Sequence, residues 1–191
     1  MRFSDGTVLR LYRETVEDFC LYPGLELTEE RMSALRTAAG AMSAKMRAVR
    51  IVAATNVSKK DLEQRLIHKG EDPDQAKAAV QWMSEMDLLD DKKTAEQVVN
   101  RCISKGYGLA RAKQALYEKR IPRQYWDDVL ADYPDQMETI VSFLRARLDA
   151  ASDRRDIQKA TDALIRKGHS YNLIRKGMQQ LMLDADDFPE E

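Results

Sequence analysis

"LIRKG" stands at 164–168 and again, letter for letter, at 173–177; "LIHKG" stands at 66–70. Either a short basic motif recurs in order to bind something, or several helices end in the same way. Long-range register separates the two. "DLEQRLIHKG" (61–70), "RAKQALYEKR" (111–120) and "ATDALIRKGH" (160–169) align on Leu66, Leu116 and Leu164, at spacings of 50 and 48 residues. Fourteen positions after each leucine comes another apolar residue: Val80, Leu130 and Met178. A fixed period of this length predicts a helical-repeat architecture, in which each unit buries too little alone and stacking builds the core. The copy at 173–177 is out of register. It falls inside the last predicted helix, on a stripe of Ile174, Met178 and Leu181. Gly177 is therefore expected mid-helix, at a cost of about 1 kcal/mol relative to Ala.

Outward from these strings the pattern is helical from Thr28 onward. Met32, Leu35, Ala39, Met42, Met46, Val49 and Ile51 recur at three- and four-residue spacings, the period of one helix face. "SKKDLEQRLIHKG" opens on Ser58 with Asp61 three residues later, a variant capping box, and Val57 and Leu62 are placed as a hydrophobic staple. Asp72 and Pro73 restart the chain as cap and first helical residue. Asp90 or Asp91 caps the next helix, whose stripe is Ala95, Val98, Val99, Cys102 and Ile103. Helices follow over "LARAKQALYEKRI", over "PRQYWDDVLADY" opened by Pro122, and over "PDQMETIVSFLRARLDA" with Ile140, Val141, Phe143, Leu144 and Leu148. "DRRDIQKATDALIRKG" and "SYNLIRKGMQQLML" complete the series.

The first residues differ. "RFSDGTVLRLY" alternates around Asp5-Gly6, a hairpin-turn signal. A small β-hairpin or three short strands is expected over 2–20, packed on something helical because a lone hairpin is marginal in water. The expected organisation is an N-terminal hairpin segment at 1–27, helical repeats at 28–91, 92–134 and 135–183, and an acidic tail at 184–191. The fold class is mainly α, three tandem three-helix repeats forming a curved solenoid.

The net charge is −1, so the chain is no simple polycation. The charge is uneven, however: residues 101–176 hold 16 Lys/Arg against 10 Asp/Glu, and residues 177–191 hold 5 Asp/Glu and no Lys/Arg. A basic C-terminal half with an acidic tail suits a nucleic-acid or filament partner; it is also the composition of a solvated helix surface. The tail reads either as a phosphate mimic competing for the basic face or as a solubilising end. The two cysteines, Cys20 and Cys102, form neither a disulfide framework nor a zinc motif. No apolar run is long enough to span a membrane, and a cytoplasmic monomer is expected.

No catalytic constellation stands out. His68 and His169 lie near different helix ends and read as exposed turn histidines. "LDD" at 89–91 reads as helix capping rather than a metal pair. "KGYG" lacks the Lys-Ser/Thr of a phosphate loop, and no nucleophile turn is present. No enzyme activity, cofactor or metal is expected. The candidate contacts are cationic: Lys105, Arg111, Lys113, Arg120 and Arg123 around one turn, then Arg145, Arg147, Arg154, Arg155, Arg166, Lys167, Arg175 and Lys176. Arg pairs bidentately with phosphate or carboxylate. Tyr107, Tyr125, Trp126 and Tyr171 are interspersed and suited to stacking on bases, although Tyr125 and Trp126 flank a stripe and one of them reads as core. Lys105 and Arg111, beside Gly106–Gly108, are the first choices.

"SKKDLEQRLIHKG", "LLDDKKTAEQVVNRCISKGYG" and "ARAKQALYEKRIP", in this order and at this spacing, resemble the RecX family of RecA modulators over roughly residues 58–183. Leu89, Asp90, Asp91, Ala95, Gly108 and Leu116 occupy the family's motif positions. Two departures are visible: Thr94 stands where the family has an aromatic residue, and Arg120 stands where it has the helix-stop glycine. The resemblance implies a three-unit, all-helical, bent solenoid. It also implies binding to RecA filaments on single-stranded DNA, directly to the DNA or through RecA, with inhibition or disassembly of the filament and effects on recombination, DNA repair and the SOS response. The alternative is a helical-repeat nucleic-acid binder with no recombinase partner.

Overall fold

The computed structural model describes residues 1–4, 6–149 and 152–186, with side chains described as far as Leu181. Among the described residues the chain forms ten α-helices: α1 (Arg13–Asp18), α2 (Glu29–Ala54), α3 (Lys59–His68), α4 (Pro73–Glu85), α5 (Asp91–Ser104), α6 (Leu109–Glu118), α7 (Trp126–Leu130), α8 (Gln136–Arg145), α9 (Arg154–Arg166) and α10 (Tyr171–Asp186). They fall into two compact units, Met1–Asp91 and Lys92–Glu191. No described helix is long and apolar enough to cross a membrane.

Side-chain caps start the helices. Thr28, Ser58, Asp72, Asp135 and Asp153 each accept a backbone N–H from the first turn that follows, which satisfies donors the helix itself leaves open. Asp72 is followed by Pro73 at the start of α4, where a missing N–H costs nothing.

The ends are more uniform. Leu66, Leu116 and Leu164 are each fully buried. Four residues on, Gly70, Arg120 and Gly168 take φ of 89°, 54° and 88°. The next N–H, of Glu71, Ile121 or His169, then donates back to the leucine carbonyl at 3.0–3.1 Å. This is the Schellman ending, in which a left-handed residue lets the chain satisfy its last carbonyls and bury the residue that follows. Glu71, Ile121 and His169 are all buried. The same bond closes Leu88 on Met83 and Tyr107 on Cys102, around Asp87 and Gly106. Arg120 thus fills the glycine position without breaking the turn. A left-handed L-residue costs roughly 1–2 kcal/mol.

In the first unit α2, α3 and α4 pack together around Ala44, Ala48, Val57, Leu62, Leu66, Ala76, Ala79, Val80, Met83 and Leu89. Val57 and Leu62, 3% and 0% exposed, form the expected staple. Glu71 is buried because Arg47 and Ser43 of α2 both donate to its Oε1. Asp91 caps a helix other than its own: its Oδ1 accepts the N–H of Lys59, the first residue of α3, at 2.8 Å. That bond ties the start of α5 to the start of α3 inside the first unit.

The N-terminal β-hairpin is not formed: among the described residues no strand is present. One isolated antiparallel bridge joins Arg2 and Val8, closed by Phe3 N–H to Thr7 O and Leu9 N–H to Met1 O. The ladder ends there because the chain turns into α1, helped by the Arg13–Glu17 pair at 2.7 Å and by burial of Thr15. Arg31 of α2 holds the end of α1 by donating to Phe19 O at 2.8 Å. Asp5 of the expected turn lies outside the described residues.

The second unit contains two apolar clusters. Ala95, Val99, Leu116 and Ile121 make one, flanked by Tyr125, Trp126, Val129 and Leu130. Ile140, Leu144, Ala160, Leu164 and Ile174 make the other. Gly177 is mid-helix as expected, and packing explains it: a Cβ there would lie 2.7 Å from Ile140 Cγ2, so the missing side chain is what lets α10 lie against α8. Two helices are shorter than their apolar pattern. Arg123–Tyr125 is a 3-10 turn leading into a five-residue α7. α8 stops at Arg145, so Leu148 packs on the core from beyond its end. The expected acidic tail is helical as far as Asp186, and residues 187–191 lie outside the described residues.

Replacing Asp91 with Ala leaves Ser58 as the side-chain cap of α3 but removes the acceptor of the Lys59 N–H, and should cost about 1 kcal/mol, read by urea unfolding of the intact chain. Arg120→Gly, which relieves the left-handed strain, should raise stability by about 1 kcal/mol in the same assay.

Candidate functional site

The sequence places Lys105 and Arg111 on either side of a glycine turn; the fold brings a second turn onto it. The N–H of Gly108 donates to Lys167 O at 2.8 Å. A Cβ on Gly108 would lie 2.2 Å from Gly168 O, and one on Gly168 would lie 2.5 Å from Arg111 N. The two backbones meet because both glycines lack a side chain, and Gly168 also supplies the left-handed helix end. Gln136 of α8 adds a third element, its Oε1 accepting the N–H of Leu109 at 3.2 Å.

This joint gathers three candidate cations. Lys167 Nζ donates to Lys105 O at 3.2 Å and stands 5.3 Å from the centre of the Phe143 ring. Arg147 stands over the same ring at 4.4 Å. Lys105 Nζ lies 5.9 Å from the Tyr107 ring. Each cation–π contact at an exposed site contributes about 0.5–1 kcal/mol. Their consequence is greater than that energy, because they hold like charges at one place and so create a local positive potential for an anion.

Arg111 sits at the joint through its backbone, but its guanidinium is turned along α6 to Glu118 at 3.2 Å. Lys113, Arg120, Arg123, Arg145, Arg154, Arg155, Arg166, Arg175 and Lys176 are exposed along their own elements; Arg123 stacks on Trp126 at 5.0 Å. Of the aromatic candidates, Tyr171 is 63% exposed. Tyr125 and Trp126 are half-buried against the core, and Trp126 Nε1 donates to Ile121 O at 3.1 Å. Phe143 was legible only as a core stripe residue. Its pairing with Arg147 has a sequence signal, an aromatic and a cation four apart next to a helix end; its pairing with Lys167 has none.

His169 is not the exposed turn histidine that its position suggests. It is 4% exposed, and its Nε2 faces Gly106 O at 3.2 Å. Burial pushes its pKa below the ordinary 6.5, with Lys167 adding to the effect and the Gly106 carbonyl opposing it. Beneath the same turn, burial pushes the Cys102 thiol up against the lowering fields of Arg111 and Lys105. Tyr133 donates to Tyr107 O at 2.7 Å, and its phenol is pushed up to about 12, by burial first and Cys102 second. Among the described residues no three His, Cys, Asp or Glu groups are placed to hold a metal ion.

Fold and surface together define a class: a mainly helical protein of repeated left-handed helix endings that presents clustered cations where two turns meet. Sequence comparison narrows it. No protein-family model matches the chain. A regulatory protein RecX of Xanthomonas campestris pv. campestris (strain B100) is 30% identical over 132 residues, 68% of this chain and 82% of that protein. The regulatory protein RecX of Clostridioides difficile (strain 630) is 25% identical over 191 residues, 97% of this chain and 89% of its own length. A crystal structure of RecX from Lactobacillus salivarius shares the fold with a TM-score of 0.65, at 24% identity over 76% of this chain and 99% of that one. The chain belongs to the RecX family of regulatory proteins.

Tyr133→Phe should cost about 1 kcal/mol through the lost bond to Tyr107. The raised phenol also sets a sign: an unfolded tyrosine ionises near 10 and the folded one only near 12. Its contribution is therefore complete below pH 10 and lost as pH rises toward 12. Alkaline unfolding should be shallower in the phenylalanine variant.

Proposed function

We propose that this protein regulates a RecA recombinase by binding the RecA filament on single-stranded DNA and biasing it toward disassembly. The observation that carries the reading is the seating of Arg147 and Lys167 on one ring, with Lys167 anchored on the Lys105 carbonyl. Family membership supplies the regulatory role; the cation cluster supplies a surface suited to phosphate or carboxylate. In this reading the chain is a monomeric, non-enzymatic, cytoplasmic protein of three tandem repeats at 28–91, 92–134 and 135–183, forming a curved solenoid, with the segment 1–27 before them and the acidic tail after. The remaining basic candidates extend the contact along the surface.

No bond-making step is required. A regulator that binds one filament state more tightly than another shifts the population by that difference alone. Inhibition of assembly and remodelling of a finished filament are two kinetic forms of the same preference.

Two charge reversals test the surface. Lys105→Glu with Arg147→Glu should leave the helical content intact while weakening the slowing of RecA ATP hydrolysis at least tenfold in concentration. If direct phosphate contacts contribute, binding to a single-stranded oligonucleotide should lose about 0.7 in log–log salt slope per contact removed. Wild-type protein that leaves RecA ATP hydrolysis untouched while binding DNA with a steep salt dependence favours the nucleic-acid binder without a recombinase partner. Full activity in the double variant would place the contact elsewhere.

A further inference from the structure

The buried residue after the left-handed turn is Glu71, Ile121 or His169 in the three aligned helix ends. The backbone geometry is the same in all three, so the turn itself does not require a histidine; isoleucine serves at 121. His169 has a second attachment, to the facing turn. Its Nε2 meets Gly106 O, an acceptor, so in the neutral ring that nitrogen carries the hydrogen. Its Nδ1 is buried and has no hydrogen-bond partner among the described residues. We propose that His169 is a proton-sensitive latch: neutral, it closes the Gly106–Gly108 turn onto the Gly168 turn, and on protonation it loosens that joint and the cation cluster built on it.

The physical basis is what surrounds the ring. A protonated imidazole donates from both nitrogens, and the second hydrogen would be buried without an acceptor. Lys167, on its own turn, and Lys105, on the facing one, are cations. Arg111 and Glu118 of α6 are already paired with each other. Cys102 and Tyr133 stay neutral in the relevant range, because burial raises both. From α8 the neighbours of the joint are Gln136 and Thr139, both uncharged. The surroundings therefore disfavour a proton on His169. The sign follows: the open joint takes up a proton near the ordinary 6.5, and the closed joint only at lower pH. Between those values the open form holds more protons, so closure is complete above about 6.5 and weakens as pH falls.

The chain has two histidines, and His169→Ile assigns the His169 resonances by their loss. Imidazole NMR titration of the full chain from pH 8 to 5 should show His169 with a midpoint below the ordinary 6.5. Hydrogen exchange of the Gly108 amide, corrected for intrinsic rate, should lose protection about tenfold per pH unit as pH falls from about 6.5 to the His169 midpoint. His169→Ile should abolish that loss while keeping the amide protected. A His169 midpoint at or above about 6.5, or Gly108 protection indifferent to pH in the wild type, overturns the latch. So does an unchanged pH response in the isoleucine variant; if that variant does not fold, the two wild-type readouts decide. The effect on the cation cluster rests on the filament-binding reading, but none of these measurements uses RecA or DNA. Failure of the latch and failure of that reading are therefore distinguishable.

Discussion

A single backbone constraint organises this protein: a helix must satisfy its last carbonyls while turning its chain back toward the core. The solution used after α3, α6 and α9 is the same each time. A buried leucine accepts an N–H from five residues on, and a residue with positive φ stands between them. Unpaired carbonyls at a buried helix end would cost more than the left-handed residue does, so the constraint holds even where that residue is an arginine. Each ending fixes the direction in which the next segment leaves, and hence where the next helix packs.

What the endings share is backbone; what distinguishes them is the fifth residue after the leucine. Glu71 draws in Arg47 and Ser43 and pins its turn to α2. Ile121 joins an apolar cluster. His169 reaches across to Gly106 and, with the Gly108–Lys167 bond, makes a joint between two turns. The clustered cations are a consequence of that joint. Lys105 and Lys167 each sit on a residue adjacent to it, and Phe143 of α8 is the ring on which Lys167 and Arg147 converge. A cationic surface assembled in this way depends on turn geometry more than on the charge count of any helix.

Much of the fold was legible along the chain because its signals are local. Ser58, Asp72 and Pro73 announce helix starts, Val57 and Leu62 a staple, and the aligned leucines the helix ends. The misreadings came from signals whose partners lie elsewhere. The alternating N-terminal residues suggest strands, but α1 follows within a few residues and only one bridge forms. Arg120 looks like a lost stop signal, yet it adopts the glycine conformation because the buried ending demands it. The sequence offers Asp90 or Asp91 as the cap of the helix that follows; Asp91 is the first residue of α5, and its Oδ1 goes to Lys59 at the start of α3, a partner no local spacing shows. Among the candidate contacts, Lys105 was visible as a surface cation beside glycines and Arg147 stands four residues from Phe143, whereas the approach of Lys167 to the same ring crosses elements and leaves no spacing to read.

The sequence by itself determined where the capped helices α2, α3, α4, α8 and α9 begin and where α3, α6 and α9 end, that leucines recur about fifty residues apart, and that basic residues concentrate in the C-terminal half. These properties depend on neighbours within one or two turns, where backbone hydrogen bonding and side-chain period act directly. The tertiary structure alone decided that Gly177 is a packing site, that His169 is buried, and which three of the many cations share one place. Those outcomes depend on the approach of α8, α10 and two turns from distant parts of the chain, and close approach is set by the atoms that are missing at Gly108, Gly168 and Gly177 as much as by those present.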